Sequence, residues 1–235
     1  MKIKFQCSKC FLENINTYDF VQVRDEDLYE YKCSRGHVNL YFVKNEKFEL
    51  LMESALYAIQ DGYYREAISS LTSSLERLQE FLIKVLFRKY NTSERVFDTA
   101  WKKVSQQSER QLGAFIFLYV KEYRELPDNL TDNERKFRNS VIHKGRFPTY
   151  EETLKYGQRI LDITYSNLKK IRESLEHIIR EMSEEKQQSI LNKFNELDAS
   201  PFSHLSKTSI NIYHDVSSFK KTNLVEYLDL IKKLK

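Results

Sequence analysis

Residues 62–89 read GYYREAISSLTSSLERLQEFLIKVLFRK. Ile68, Leu71, Leu75, Leu78, Leu82 and Val85 recur at alternating intervals of three and four, which gathers them into one stripe on a 3.6-residue helix. A stripe of that width must be covered by other elements, so the segment predicts a core helix. Leu168, Ile171, Leu175, Ile178 and Met182 repeat the pattern and predict a long late helix. Between the two, Gly113 to Glu125 reads as a further helix closed by Pro127. The fold expected from these helices is mainly α, a helical bundle.

Composition agrees with that class. Apolar residues make up 41% and charged residues 31%, with five Gly and three Pro, which suits a globular, helix-rich chain. No window approaches the run of about 18 apolar residues that a membrane span needs, and the start, MKIKFQCSKC, has no apolar leader core. The expectation is a soluble, cytoplasmic protein with no membrane partner. Formal charge is only +4, so attraction to nucleic acid has to come from a local patch.

The cysteines point to a small β zinc ribbon in front of the bundle. All three lie in the first 33 residues, and an odd number without a leader argues against a disulfide framework. Cys7-Ser-Lys-Cys10 offers two thiolates across one tight turn, and Cys33-Ser-Arg-Gly-His37 offers a thiolate and an imidazole across another. Together they make a four-ligand Cys3His set for Zn2+, and with no position left open for water the metal reads as structural. Tyr18, Phe20, Val21 and Val23, then Leu28, Tyr29 and Tyr31, predict a strand pair turning at Asp25-Glu26-Asp27, with a third strand from Val38 to Val43. The domains expected are 1–45 (ribbon), 46–182 (bundle) and 183–235 (helical extension). The bland alternative is three free cysteines and an unrelated histidine.

Thr131 to Thr164 is the most informative stretch of the bundle. Thr131 with Glu134, and Thr149 with Glu152, read as capping boxes that start two helices, separated by Gly145 and Pro148. The first helix runs from about Asp132 and ends on Arg138-Asn-Ser-Val-Ile-His143. On an ideal helix Arg138 and His143 point about 140° apart, whereas Asn139 and His143 share a face.

Arg138-Asn139-Ser-Val-Ile-His143, with Gly62-Tyr-Tyr-Arg-Glu-Ala upstream, Phe137 before it and His143-Lys-Gly-Arg-Phe-Pro148 after it, resembles the HEPN superfamily. The resemblance covers roughly residues 46–182. It implies a metal-independent endoribonuclease that acts as a homodimer with two motifs facing each other, in toxin–antitoxin or antiviral defence systems. RNA and an antitoxin or defence-complex component are then the expected partners. Arg172-Glu-Ser-Leu-Glu-His177 has the same spacing, but its second residue is acidic and it falls within the late helix, where a solvated face is expected.

The chemistry suits the resemblance. Attack of a 2′-hydroxyl on the adjacent phosphate needs a proton removed, a proton delivered and charge on the phosphorane stabilised. His143 carries an imidazole, the side chain suited to either proton step. Arg138 offers a planar fork to phosphate oxygens, and Asn139 suits holding the phosphate or orienting His143. The motif supplies one histidine per chain, which is the physical reason to expect a dimer. From Arg135 to Arg172 ten Arg and Lys stand against three Asp and Glu, and Arg135, Lys136, Lys144 and Arg146 beside the motif are the expected RNA contacts. The plain alternatives are an Arg138–Glu134 ion pair, a helix-terminal His143 and an exposed Asn139 in a catalytically inert HEPN module used for dimerisation or recognition. Beyond Met182, Ser183 is expected to cap a helix through Leu197, Pro201 to break it, and Thr222 to Leu234 to form a terminal amphipathic helix.

Overall fold

Residues 1–15, 18–26, 28–195, 202–204, 212 and 223–232 are described by a computed structural model. The elements run β1 (Lys2–Gln6), α1 (Ser8–Leu12), β2 (Tyr18–Gln22), β3 (Leu28–Lys32), β4 (Val38–Val43), α2 (Lys47–Gln60), α3 (Tyr64–Lys89), α4 (Glu94–Val104), α5 (Ser108–Tyr123), α6 (Asp132–Ile142), α7 (Tyr150–Asn195), β5 (Phe202–His204) and α8 (Leu224–Lys232). The protein is mainly helical with a small β region at its N-terminus, as the periodicity predicts. It divides into two compact units, one of Met1–Glu46 with Arg180–Thr208 and one of Lys47–Ile179 with Ser209–Lys235.

In the helical unit α3 is the central element. Five of its six stripe residues are 0% exposed and Leu75 is 4% exposed, each burial worth about 1.5–3 kcal/mol. Helices α2, α5 and α6 pack on α3. Ser74 donates to the Phe48 carbonyl at 2.7 Å, joining α3 to the first turn of α2. Helix α8 lies on α2 and α7: Gln60 donates to the Leu228 carbonyl at 2.6 Å, and the Leu224 amide donates to Gln158 at 2.8 Å. Gly157 makes that approach possible, since a Cβ there would stand 2.8 Å from Leu224 Cδ2.

Helix α5 ends two residues before the expected Glu125, because Arg124 turns left-handed (φ 60°) and its amide closes on the Val120 carbonyl. The loop that follows is tied to α7. Arg159 donates to both Asp128 oxygens at 2.9 and 2.6 Å and to the Asn129 carbonyl at 2.6 Å. Asn167 accepts from the Asp128 amide at 3.1 Å and donates to its carbonyl at 3.0 Å. This anchorage delivers Thr131 to the start of α6. Both expected capping boxes are present: Thr131 with Glu134 at 2.7 and 3.4 Å, and Thr149 with Glu152 at 3.0 and 3.2 Å.

Two expectations are corrected for α7. It is continuous past Ser183, with a break only at Leu175 (φ −126°, ψ 21°), because no Gly or Pro interrupts residues 176–195 and Ser183 sits inside the helix. Arg172 itself is not on a solvated face either, although Glu173, Ser174 and His177 of the same stretch are exposed as expected. Arg172 is 1% exposed and forks onto Glu176 at 2.9 and 3.2 Å, a partner one turn on that keeps its charge paired in the interior. Leu197, Pro201, Thr222 and Leu234, like Asp27 of the expected turn, lie outside the described residues.

The β unit also differs from expectation in its pairing. The strands fall where the sequence predicts, but β2 pairs antiparallel with β1 rather than with β3, and β3 pairs antiparallel with β4. The segment Lys2–Gln6 was not expected to be a strand. Its Phe5 is buried, stacked 4.9 Å from Tyr41 and 5.5 Å from Tyr31. Strand β5 adds parallel to β4, and Ile190 of α7 packs with Phe42, Leu28 and Leu40. Ile190, within the stretch 183–235 set apart by sequence as an extension, therefore contributes to the core of this unit, and residues 202–204 to its sheet.

Candidate functional site

Two groups of side chains can carry chemistry, one in each unit. In the β unit, Cys7 closes β1 and begins α1, Cys10 lies within α1, and Cys33 and His37 flank the β3–β4 turn. That turn closes because Gly36 adopts φ +87° and donates to the Cys33 carbonyl at 2.8 Å. The Cys33 amide donates to the His37 carbonyl at 2.9 Å, and the His37 amide donates to Cys33 Sγ at 3.3 Å.

The four ligand atoms lie within 4.8 Å of one another, with the three cysteines buried and His37 half-buried. Cys7 Sγ and Cys10 Sγ stand 3.7 and 3.4 Å from His37 Nδ1. A tetrahedral ion with metal–sulfur bonds of about 2.3 Å and metal–nitrogen bonds of about 2.0–2.1 Å has sulfur–nitrogen edges of about 3.5 Å. The donor set and its spacing fit a metal ion. Burial pushes the Cys7 thiol up, but hydrogen bonds to its sulfur from the Cys10 backbone, Asn39, His37 and Cys10 outweigh it and hold the pKa at about 6. A thiolate there is ready to ligate.

The surrounding side chains orient this set. Asn39 is buried, accepts from the Ser8 amide and hydroxyl at 3.2 Å each, and donates to the His37 carbonyl at 3.0 Å. It thus bridges the two ligand turns. Arg35, ion-paired with Glu13, also reaches Cys10 Sγ at 3.9 Å. Sequence reading overlooked Asn39, whose only signal is its place two residues after His37.

In the helical unit the α6 motif sits at the C-terminal end of its helix. Arg138 is half-buried (17% of its side chain exposed), while Asn139 and His143 are exposed. The Arg138 fork reaches two partners: Nη1 donates to Asn139 Oδ1 at 2.9 Å, and Nη2 lies 3.8 Å from Glu76 of α3. Its Nε is buried without a partner. His143 is the C-cap residue, its amide donating to the Asn139 carbonyl at 3.0 Å. The His143 imidazole makes no hydrogen bond or ion pair among the described residues.

The neighbours of the motif come from three helices. Glu134 pairs with Arg159 at 3.4 Å, so Arg138 finds its carboxylate on α3 instead of one turn back on its own helix. Tyr156 of α7 packs on Phe137 at 5.7 Å and hydrogen-bonds Thr72 at 3.0 Å. Burial pushes its phenol up to about 12, so it stays protonated at neutral pH and is no base. Glu76 and Tyr156 are invisible to pattern reading, because only tertiary packing brings α3 and α7 to the end of α6.

Of the expected RNA contacts, Arg135 pairs with Asp132 at 2.9 Å and Arg146 pairs with Glu152 while lying 5.3 Å over the Phe137 ring. Lys136 and Lys144 are exposed and make no ion pair among the described residues. Much of the remaining positive run is used internally: Arg159 by Asp128 and Glu134, Lys170 by Glu125, and Arg172 by Glu176. No described helix is long and apolar enough to cross a membrane. Comparison with protein-family models, with curated proteins and with solved structures returned no match to this chain.

Proposed function

We propose that the chain is a metal-independent endoribonuclease of HEPN type, acting as a homodimer and serving as a toxin or antiviral defence effector. The observation that carries this reading is the cluster at the end of α6, where Arg138 holds Asn139 at 2.9 Å and an unengaged imidazole of His143 stands on the same outer face as Asn139. In this reading the RNA 2′-hydroxyl attacks the adjacent phosphorus, the 5′-oxygen leaves, and a 2′,3′-cyclic phosphate forms. His143 takes or gives one proton, and the His143 of a second copy handles the other. Arg138 neutralises the phosphorane oxygens, with Asn139 steering both fork and phosphate. Lys136 and Lys144 attract the polyanion, and Arg135 and Arg146 contribute as far as their carboxylate partners allow.

Cys7, Cys10, Cys33 and His37 bind Zn2+ structurally in this reading. The ion cross-links two turns, and the ribbon serves recognition of RNA, an antitoxin or a defence-complex partner. A catalytically inert HEPN module is the second reading, favoured by the Glu76 carboxylate beside the Arg138 fork.

The deciding experiment incubates purified wild type, Arg138→Ala and His143→Ala with total RNA and tRNA in EDTA. Each substitution is expected to abolish cleavage and growth toxicity while circular dichroism and zinc content persist. Cleavage surviving both changes refutes the assignment of these residues, and no cleavage by wild type favours the inert module.

A further inference from the structure

The loop joining α6 to α7 holds a phenylalanine in water. Phe147 is 83% exposed, more than any other large apolar side chain among the described residues. The backbone beneath it is anchored. Gly145 turns it at φ +71°, the Arg146 amide donates to the Ser140 carbonyl at 3.1 Å, and Pro148 is buried on the far side. Arg146 is further paired with Glu152 and laid over the Phe137 ring, and the backbone so arranged presents Phe147 to solvent. A ring fixed in this way recovers its hydration cost only by covering itself with another body.

Place and charge identify the body. Phe147 follows His143 by four residues, so their Cα atoms lie within about 14 Å of each other along the chain. Lys144 in the same loop and Lys136 on α6 are unpaired among the described residues, which suits a partner that brings negative charge with each planar group. A protein helix docking there would need several apolar anchors at helical spacing, and the loop offers one ring between cations. Nucleobases supply a π-face of the right size whatever their sequence, provided they are not already stacked in a duplex.

We propose that Phe147 is a base-stacking residue that seats an unpaired nucleobase of single-stranded RNA beside the scissile phosphate, with Lys144 and Lys136 on the flanking phosphates. This rests on the nuclease reading of Arg138, Asn139 and His143. The test uses full-length wild type, Phe147→Ala and Phe147→Trp. Binding is measured by anisotropy in the His143→Ala background, with a short fluorescein-labelled mixed-sequence single-stranded RNA and with the same RNA annealed to its complement. Cleavage kinetics are measured with His143 intact.

Phe147→Ala is expected to raise Kd and KM for the single strand roughly 5- to 150-fold, the effect of losing one stacked base. Phe147→Trp should keep wild-type values, and binding of the duplex should not move. Unchanged Kd and KM for Phe147→Ala overturn the proposal, while continued cleavage by that variant leaves the nuclease reading standing. Wild type that cleaves nothing but loses single-strand binding with Phe147→Ala sinks the nuclease reading and keeps the stacking residue. A Phe147→Ala protein that sediments as a monomer where wild type is a dimer, with RNA affinity per chain unchanged, assigns the ring to a subunit contact and overturns the proposal.

Discussion

Replacing Arg159 with Met separates cations that build the fold from cations left for a ligand. Arg159 forks onto Asp128 at 2.9 and 2.6 Å, donates to the Asn129 carbonyl and lies 3.4 Å from Glu134. Its side chain is 25% exposed, and those of Asp128 and Glu134 are 31% and 28% exposed. A hydrogen bond to a charged group contributes about 1.5–3 kcal/mol net, and breaking a fully buried ion pair costs about 3–5 kcal/mol. Partial exposure discounts the second figure, while two carboxylates left without their cation add to the first. We expect a loss of about 3 kcal/mol, which lowers the unfolding midpoint of the helical unit by roughly 6–12 °C. Differential scanning calorimetry measures the midpoint, and amide exchange should quicken at residues 128–135, which Arg159 pins. The matching Lys144→Ala should leave the midpoint nearly unchanged and reduce the salt slope of RNA binding by about one. A fall below about 3 °C for Arg159→Met with unaltered exchange refutes the view that this arginine anchors α6.

Thr131→Ala removes the hydroxyl that accepts the Glu134 amide and should cost about 1 kcal/mol; denaturant unfolding would show a lower midpoint with the same slope. Cys33→Ser should strip the ribbon of its metal at neutral pH, read by zinc analysis of the purified protein. Acid should do the same to the unaltered protein. The folded pKa of Cys7, about 6, lies below its ordinary value of 9.0, so the thiolate stabilises the fold fully above about pH 9 and progressively less as pH falls through about 6. Protons also compete with a metal for these ligands, so a chromogenic chelator should compete zinc away more readily at pH 5 than at pH 8, and a zinc affinity that does not change with pH would contradict ligation by thiolate and imidazole.

The helices, their caps and the Cys3His cluster were legible in the sequence because each rests on local spacing. An apolar stripe such as Ile68 to Val85 follows from the helical repeat, Thr131 meets Glu134 within one turn, and each ligand pair closes a turn of a few residues. Strand partners were not legible. Tyr18–Gln22 looks the same as a strand whether it faces β3 or β1, since pairing depends on which edge the fold brings alongside. The same limit hid the role of residues after Met182, where Ile190 meets Phe42 across a long stretch of chain.

Charge shows most clearly what tertiary structure alone decides. The sequence sets the number of cations between Arg135 and Arg172, and with it a formal surplus beside the motif. Their carboxylate partners come partly from elsewhere, Asp128 for Arg159, Glu125 for Lys170 and Glu76 for Arg138, so the surplus is largely consumed inside the unit. Ion pairing acts over a few ångströms of space and disregards distance along the chain, so only the packed helices show that Lys136, Lys144 and Lys155 are the cations of this run left without a carboxylate among the described residues, the first two of them beside the motif.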